Sequence, residues 1–435
     1  MDGRRGVVAL YLDEFQQAAR SFDGAGMLAC VALAPPAHMA LHSALQTEDP
    51  EILCDGLHLA PAAAGALQKR LASLLADYLG YIKGTPMSAP GAYDAWVKVF
   101  SCCSMIISLP DTVWFVAVLV YAARRLVSLA IDADQRSATR VYTKTIDAAG
   151  RLSKCAGLVA NDRTAAPGAE TKRVAVLALA NLSFRAYFKL NNTRLCETVL
   201  GSVHNALLMN RRNSGTPDAT GEECYSLAER VTYRYHLGQV RLIQHVIDEA
   251  AKHLRWAFDH CPTAHTHNKR LIAAPLIATY MILGRYAAPA LLQQLALTDE
   301  FGALLHYHRL GYGAGVLAEL ERQREWLRTK GLYMILCEKA MLGVWRNLFR
   351  RCLLLQHSTP LSTTAPPTLP LARLVLPVQL AWGDPSLTLD DLECMAANLI
   401  DQDLMKAYIL HSKRLVVLQK GPHRGFPAVA SVYLR

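Results

Sequence analysis

The segment Gly331 to Leu355, GLYMILCEKAMLGVWRNLFRRCLLL, constrains this chain more than any other. Laid out at 100° per residue, Lys339, Gly343, Arg346 and Arg350 share one stripe, the three basic side chains within about 40° of one another. Most of the remaining circumference is Leu, Ile, Met, Val, Trp and Phe. A helix apolar nearly all round needs protein against several of its faces. The stretch that follows, QHSTPLSTTAPPTLP at 356–370, is rich in Ser, Thr and Pro and cannot continue a helix. The segment therefore reads as a spine that closes a helical array and leads to a separate C-terminal module.

The rest of the chain supports that array. Its 435 residues have room for two or three domains or one extended run of repeats. Ala and Leu dominate the apolar residues, which favours close-packed helices over sheets. Helical periodicity predicts helices at Gly65–Tyr81, Ala92–Ile107, Thr112–Ile131 and Ala138–Val159, punctuated at Thr85-Pro86, Pro90-Gly91, Pro110-Asp111 and Ala166-Pro167-Gly168. No alternating strand pattern stands out before residue 407. Val113–Ala123 is the most membrane-like stretch, but its run of apolar residues between Asp111 and Arg124 is shorter than the ~20 a span needs. It reads as a core helix, and no membrane insertion is expected. The N-terminus, MDGRRGVVALYLDEF, does not read as a signal peptide. Eleven scattered cysteines without a CxxC pair read as reduced thiols in an intracellular protein.

A phrase recurs at Tyr187–Asn191, Arg234–Gly238 and Tyr280–Gly284, at spacings of 47 and 46 residues. The middle copy fits a tetratricopeptide-type hairpin. Gly238 takes the small position beside the turn, and Ala250, Leu254, Ala257 and Pro262 follow at the small, large, small and helix-ending positions. Small residues let antiparallel helices approach, a large one plugs the gap, and proline ends the pair.

After the break the pattern changes. Thr388-Leu-Asp-Asp391 is a helix N-cap signal, and Leu389, Leu392, Met395, Ala396 and Leu399 then make one apolar face. Ala407–Leu410, the turn His411–Arg414 and Leu415–Lys420 read as a β-hairpin. Helices followed by a two-stranded hairpin describe a winged helix. The predicted organisation is an N-terminal helical region at 1–174, helical repeats at 175–356, a break at 357–370 and a winged helix at 371–427. The fold class is all-α, a TPR-like helical-hairpin solenoid with a C-terminal winged helix.

The chemistry expected is binding. The net charge is +10, with a pI near 9.1, which suits polyanions or acidic proteins as partners. Lys406, Lys413, Arg414, Lys420 and Arg424 lie at or beside the hairpin, where a wing lays such side chains along phosphates without reading bases. Asp390, Asp391, Glu393, Asp401 and Asp403 make the preceding helix acidic, which argues against base reading in a major groove. Lys339, Arg346 and Arg350 on the spine are a candidate extension of the basic surface, widened by Arg322, Arg324 and Arg328. The HxH pairs His306/His308 and His265/His267 have no Asp within the following fourteen residues. His260 and Cys261 straddle a loop with His265 and His267 without metal-site spacing. No phosphate-binding glycine loop or nucleophile elbow is present, so no metal, cofactor or enzymatic activity is expected.

Arg230-Val-Thr-Tyr233-Arg-Tyr235, Ala257-Phe-Asp-His260-Cys261, Asn268-Lys-Arg270-Leu-Ile272, Lys330-Gly-Leu-Tyr333, Trp345-Arg-Asn-Leu-Phe349-Arg, Ala397-Asn-Leu-Ile400 and Leu415-Val-Val417 together resemble the PCI-domain family, and within it the messenger-RNA-export type similar to COP9-signalosome subunit twelve. The resemblance spans about 175–427. It implies a non-catalytic subunit of a transcription and export complex, in the nucleus and at the nuclear pore, with some cytoplasmic presence. Its winged helix would pack edge to edge against that of a large GANP-type PCI scaffold subunit, which a small acidic, largely disordered subunit stabilises. The paired winged helices would bind RNA and double-stranded DNA. The alternative is a purely protein-binding subunit of a COP9-signalosome-like assembly. Three departures from the family pattern are expected to disturb local geometry. Pro360, Pro366, Pro367, Pro370 and Pro377 crowd the start of the winged helix, with Pro377 interrupting a helix. Asp401-Gln402-Asp403 places acidic residues where the family prefers apolar ones, and Gly311–Gly315, GYGAG, loosens a hairpin.

Overall fold

Small residues on helix faces let neighbouring axes approach closely, and Ala-rich faces are what the first half of this chain supplies. In the computed structural model, which describes residues 2–46, 65–84, 91–137, 142–356 and 366–433, the chain forms two compact units, 1–233 and 234–435. They divide inside the helix Leu227–Ile243, not at 174/175. Residue 174, next to the start of the family resemblance, lies in a short 3-10 turn of the first unit. Thr85-Pro86, Pro90, residues 138–141 and Pro360 lie outside the described residues.

The first unit comprises α1 (Asp2–Ser21), α2 (Gly24–Val31), α3 (Pro35–Leu45), α4 (Ala66–Gly84), α5 (Ala92–Ile107), α6 (Val116–Arg136), α7 (Thr143–Ala160), α8 (Val176–Lys189) and α9 (Cys196–Asn213). From α4 to α9 each helix packs on the next. By length and composition 113–136 could cross a membrane, yet Val118, Leu119, Ala122, Ala123, Leu126 and Val127 are fully buried among α2, α5, α7 and α8. Asp134 ends α6 by accepting from the backbone of Lys144 and Thr145 at 3.2 and 2.8 Å, so one carboxylate caps the start of α7. The described cysteines are free thiols, most of them buried.

The second unit begins within α10 (Leu227–Ile243) and continues through α11 (Ile247–His260), α12 (Thr266–Ile282), α13 (Pro289–Gln294), α14 (Thr298–Leu310), α15 (Gly313–Arg322), α16 (Arg324–Thr329) and α17 (Tyr333–Gln356). A Cβ on Gly238 would sit 2.6 Å from Leu254, so the small and large positions expected of the hairpin do meet. The other two copies of the phrase play a different part. Asn191 (φ 52°) and Gly284 (φ 71°) are left-handed residues just past the ends of α8 and α12. Helix termination, not hairpin packing, explains them.

The spine helix α17 serves two cores. Ile335, Leu336, Ala340 and Val344 belong to the solenoid core with Ile277, Phe301 and Leu304. Leu348, Phe349, Cys352 and Leu353 belong to a second core with Leu369, Leu392, Leu399 and Val416. That second core is the winged helix, built from the C-terminal half of α17, β1 (Thr368–Pro370), α18 (Val375–Trp382), α19 (Leu389–Asp401), β2 (Ala407–Leu410) and β3 (Leu415–Leu418). Its sheet is antiparallel in the order β1-β3-β2, with Leu369 opposite Val416 and Tyr408 opposite Val417.

The hairpin and its turn fall where the sequence places them, and three expectations need correction. The winged helix starts with β1 inside the proline-rich stretch, because an edge strand tolerates prolines that a central one would not. Pro377 does not interrupt a helix. It is the third residue of α18, where its missing N–H is one of the donors that a helix start leaves unpaired anyway. Nor does GYGAG loosen its hairpin. Gly311 (φ 77°) ends α14 with its Cβ position 2.6 Å from the backbone nitrogen of Leu348, and the Cβ position of Gly313 lies 2.6 Å from the Trp382 ring. These glycines let α14 and α15 touch α17 and α18.

Gly311→Ala is therefore expected to destabilise the chain more than Gly331→Ala. Gly331 is also left-handed (φ 68°) but has open space around it. Urea unfolding should give about 1 kcal/mol for Gly331→Ala, the conformational cost alone, and roughly 2–4 kcal/mol for Gly311→Ala, where backbone must also shift. Equal losses would contradict the close approach.

Candidate functional site

The wing is held by charge as well as by its strands. The hairpin turn runs through a 3-10 turn, His411–Lys413, into Arg414, whose backbone is left-handed (φ 47°). From there the Arg414 guanidinium reaches back to α19, with Nη1 donating to Asp390 Oδ1 and Glu393 Oε2, each at 2.6 Å. His411 Nδ1 lies 2.6 Å from the other oxygen of Glu393. Spacing explains the convergence, since residues three apart share one helix face. The capping box of Thr388 and Asp391 fixes where that face begins. The His411 hydrogen bond, with that of Arg414, holds the Glu393 carboxyl below its ordinary range.

This arrangement divides the residues that the sequence groups together. Arg414 is a structural cation engaged by two carboxylates, and so is removed from the candidate phosphate contacts. Lys406, Lys413 and Lys420 are exposed, while Arg424 is half-buried in a left-handed turn (φ 48°). Lys406 and Lys420 line an open cleft of about 510 Å³ with Tyr408, Asp403 and Val417. Tyr408 is 59% exposed, unusual for a tyrosine in a strand. Sequence reasoning passed over it, because an aromatic flanked by Ala407 and Ile409 reads as an ordinary strand residue. The sequence marks Asp390 as part of a helix-cap signal and, with Glu393, as repelling nucleic acid, and it does not show their pairing with the turn.

The spine extension is corrected more strongly. Arg346 is only 8% exposed and is no surface edge. Its Nη2 donates to the backbone carbonyls of Phe426 and Pro427, which ties the chain after the wing to α17. Lys339 is partly buried, 3.6 Å from Glu338, whereas Arg350 is exposed. Arg322, Arg324 and Arg328 do not widen a basic patch. They pair with Glu319 at 2.6 Å, Glu321 at 2.9 Å and Glu325 at 3.5 Å, each three residues away on its own surface.

The histidine pairs also separate. His308 is fully buried, its Nδ1 2.9 Å from the Tyr286 hydroxyl, and burial lowers its pKa to about 4. His306, two residues away, faces outward. His260 stacks on Trp256 at 4.0 Å, and His265 and His267 are exposed. No group of three or more His, Cys, Asp or Glu suited to a metal occurs among the described residues.

A helical solenoid that shares its last helix with a winged helix is the architecture expected of PCI proteins, and the relatives agree. The chain is 28% identical over 374 residues to a PCI domain-containing protein of Schizosaccharomyces pombe, covering 82% of this chain and 80% of the relative. It is 25% identical over 431 residues to the PCI domain-containing protein 2 homolog of Drosophila melanogaster, covering 98% and 99%. Over most of its length the chain is similar to PCI-domain proteins. The PCI domain-containing protein 2 of Danio rerio is 28% identical over 288 residues, 66% of this chain and 65% of that one. No family model matches the chain. In this chain the Arg346-Asn347 pair has a clear structural role. Asn347 Nδ2 donates to the Tyr286 hydroxyl at 3.0 Å and to the His308 carbonyl at 2.9 Å, locking α17 to α14.

The ion cluster at the wing carries a pH signature. Because the Glu393 pKa is depressed in the folded state, its contribution is complete above its ordinary value of 4.5 and is lost as pH falls through the lowered one. Glu393→Gln should lower the melting temperature at pH 7 and remove that part of the acid limb. An acid limb identical in Glu393→Gln and the parent chain would rule out this assignment.

Proposed function

We propose that this chain is a non-catalytic scaffold subunit of a nuclear, transcription-coupled messenger-RNA export complex. In this reading its winged helix docks a second PCI subunit, a large GANP-type scaffold that a small acidic, disordered subunit stabilises. RNA or DNA lies on the exposed lysines of the wing. The observation that supports docking is the uncovered side of the winged helix. Among the described residues β2 pairs only with β3, so one edge of the sheet is open. Leu376 and Leu380, one helical turn apart on α18, are 64% and 69% exposed. An open strand edge and a pair of exposed leucines are what a partner would cover.

Nucleic-acid contact is supported by Lys406 and Lys420, which line one cleft with the exposed ring of Tyr408, and by the exposed Lys413 at the hairpin turn. Lysines take the backbone and an aromatic face stacks a base without reading its identity. The sequence phrases from Arg230 to Val417 supply the link to messenger-RNA export. A second reading, a protein-binding subunit of a COP9-signalosome-like assembly, draws support from the Arg414 cluster, which spends the strongest cation of the wing on the chain itself.

Two sets of variants separate these readings. Leu376→Glu with Leu380→Glu should abolish co-purification of a second PCI subunit while leaving the melting temperature within a few degrees. Lys406→Glu, Lys413→Glu and Lys420→Glu together should cut RNA affinity by roughly tenfold or more at low salt and flatten its salt dependence. Unchanged RNA binding in the triple variant would refute the wing surface and favour the second reading. Retention of the PCI partner by the leucine variant would refute the docking face.

A further inference from the structure

The most concentrated positive charge in the second unit lies away from the wing. A cleft of about 750 Å³ opens where the end of α12, the last turn of α14 and the middle of α17 meet the turn at Ala428–Ala430. Arg285, Arg309, Arg346, Arg350 and Arg351 line it together with His306, and no Asp or Glu does. Many other arginines of this unit are matched with carboxylates, as Arg270 is with Glu300 and Arg322 with Glu319. Here five guanidinium groups gather with none.

Arg346 lies at the cleft wall and shows that the site is incomplete. It is more than nine-tenths buried and makes no ion pair among the described residues. Its Nη2 is spent on two backbone carbonyls, its Nη1 donates to Asn347 Oδ1 at a long 3.4 Å, and its Nε has no hydrogen-bond partner among those residues. Burial and the nearby charge of Arg350 push its pKa down to about 10. A buried, partly unsatisfied cation beside more cations is costly unless an anion completes it. Its position is rigidly set, because the next residue, Asn347, bonds both Tyr286 and the His308 carbonyl.

We infer that this cleft is a binding site for a compact anion carrying several phosphate groups, with Arg346 at its wall and Arg285, Arg309, Arg350 and Arg351 around its mouth. Phosphate fits because each group offers three strong acceptor oxygens and up to two charges, and the planar guanidinium fork matches it with paired hydrogen bonds. An acidic peptide would deliver too little charge to so small a volume. A nucleic-acid strand would need a free aromatic platform for its bases. The Tyr286 ring lining the cleft is half-buried, with its hydroxyl engaged by His308 and Asn347. The volume is that of a small-molecule site. Residues 428–430 close one side, with the Cβ position of Gly284 only 3.1 Å from Val429.

The test uses the full chain, with sodium tripolyphosphate and inositol hexakisphosphate as probes in isothermal titration. Both probes should bind with one-site stoichiometry, and saturating probe should raise the melting temperature. Arg309→Glu with Arg350→Glu, both exposed positions, should keep the unliganded melting temperature and weaken binding at least roughly a hundredfold, about tenfold per reversed charge. Arg346→Lys should weaken it too, since it keeps charge but loses the fork. Lys406→Glu with Lys413→Glu should change nothing, which separates this site from the wing. The inference is overturned by absence of binding at millimolar probe, by unchanged affinity in the Arg309/Arg350 variant, or by a single-stranded RNA that displaces tripolyphosphate and depends on the same two arginines.

Discussion

One helix belongs to two cores, and the C-terminal unit depends on it. The first half of α17 buries Ile335, Leu336, Ala340 and Val344 in the solenoid, and the second half buries Leu348, Phe349, Cys352 and Leu353 in the winged helix. A continuous helix transmits orientation without a hinge. The two modules are therefore joined by backbone hydrogen bonds and packing, not by a linker. Around this axis the close contacts repeat the theme. Gly311 meets the α17 backbone, Gly313 meets Trp382, and Arg346 grips the chain after the wing.

This rigidity gives the proposed function its physical sense. A scaffold subunit must present its docking surface at a fixed angle to the rest of its body. The wing is fixed in the same way, since the Arg414–Asp390–Glu393–His411 cluster ties the hairpin turn to α19. Charges that look available for a ligand in the sequence are thus used internally. Among the exposed charges are Lys406 and Lys413 on the wing and Arg285, Arg309, Arg350 and Arg351 of the cleft beside α14. The two sets differ in geometry, and an extended backbone is proposed for the first and a small dense anion for the second.

Much of the fold was legible in the sequence because it rests on periodicity and turn chemistry, which are local. The all-round apolar spine, the Thr388 cap, the Ala407–Leu418 hairpin and the Gly238/Leu254 pair all follow from spacing. What was not legible depends on contacts between distant segments. The strand β1 has no pattern of its own and exists because β3 accepts it as an edge. Arg346 reads as a surface cation by periodicity and is buried because residues 426–427 fold over it. The arginine cleft gathers residues from α14, α17 and the turn after α12, and only Arg285 and Arg309, at or just past helix C-termini where cations are favoured, hint at it. Pro377 and GYGAG were misjudged because the same residue weakens one context and is required by another.

The central claim is that α17 couples solenoid and winged helix into one cooperative body, and native-state amide hydrogen exchange along that helix tests it most directly. The account predicts that residues 335–344 and 348–353 share one opening free energy. It also predicts that Phe349→Ala, a core truncation costing about 3–5 kcal/mol, lowers protection in both halves together. Loss of protection confined to 348–353 and the winged helix, with 335–344 unchanged, would contradict it.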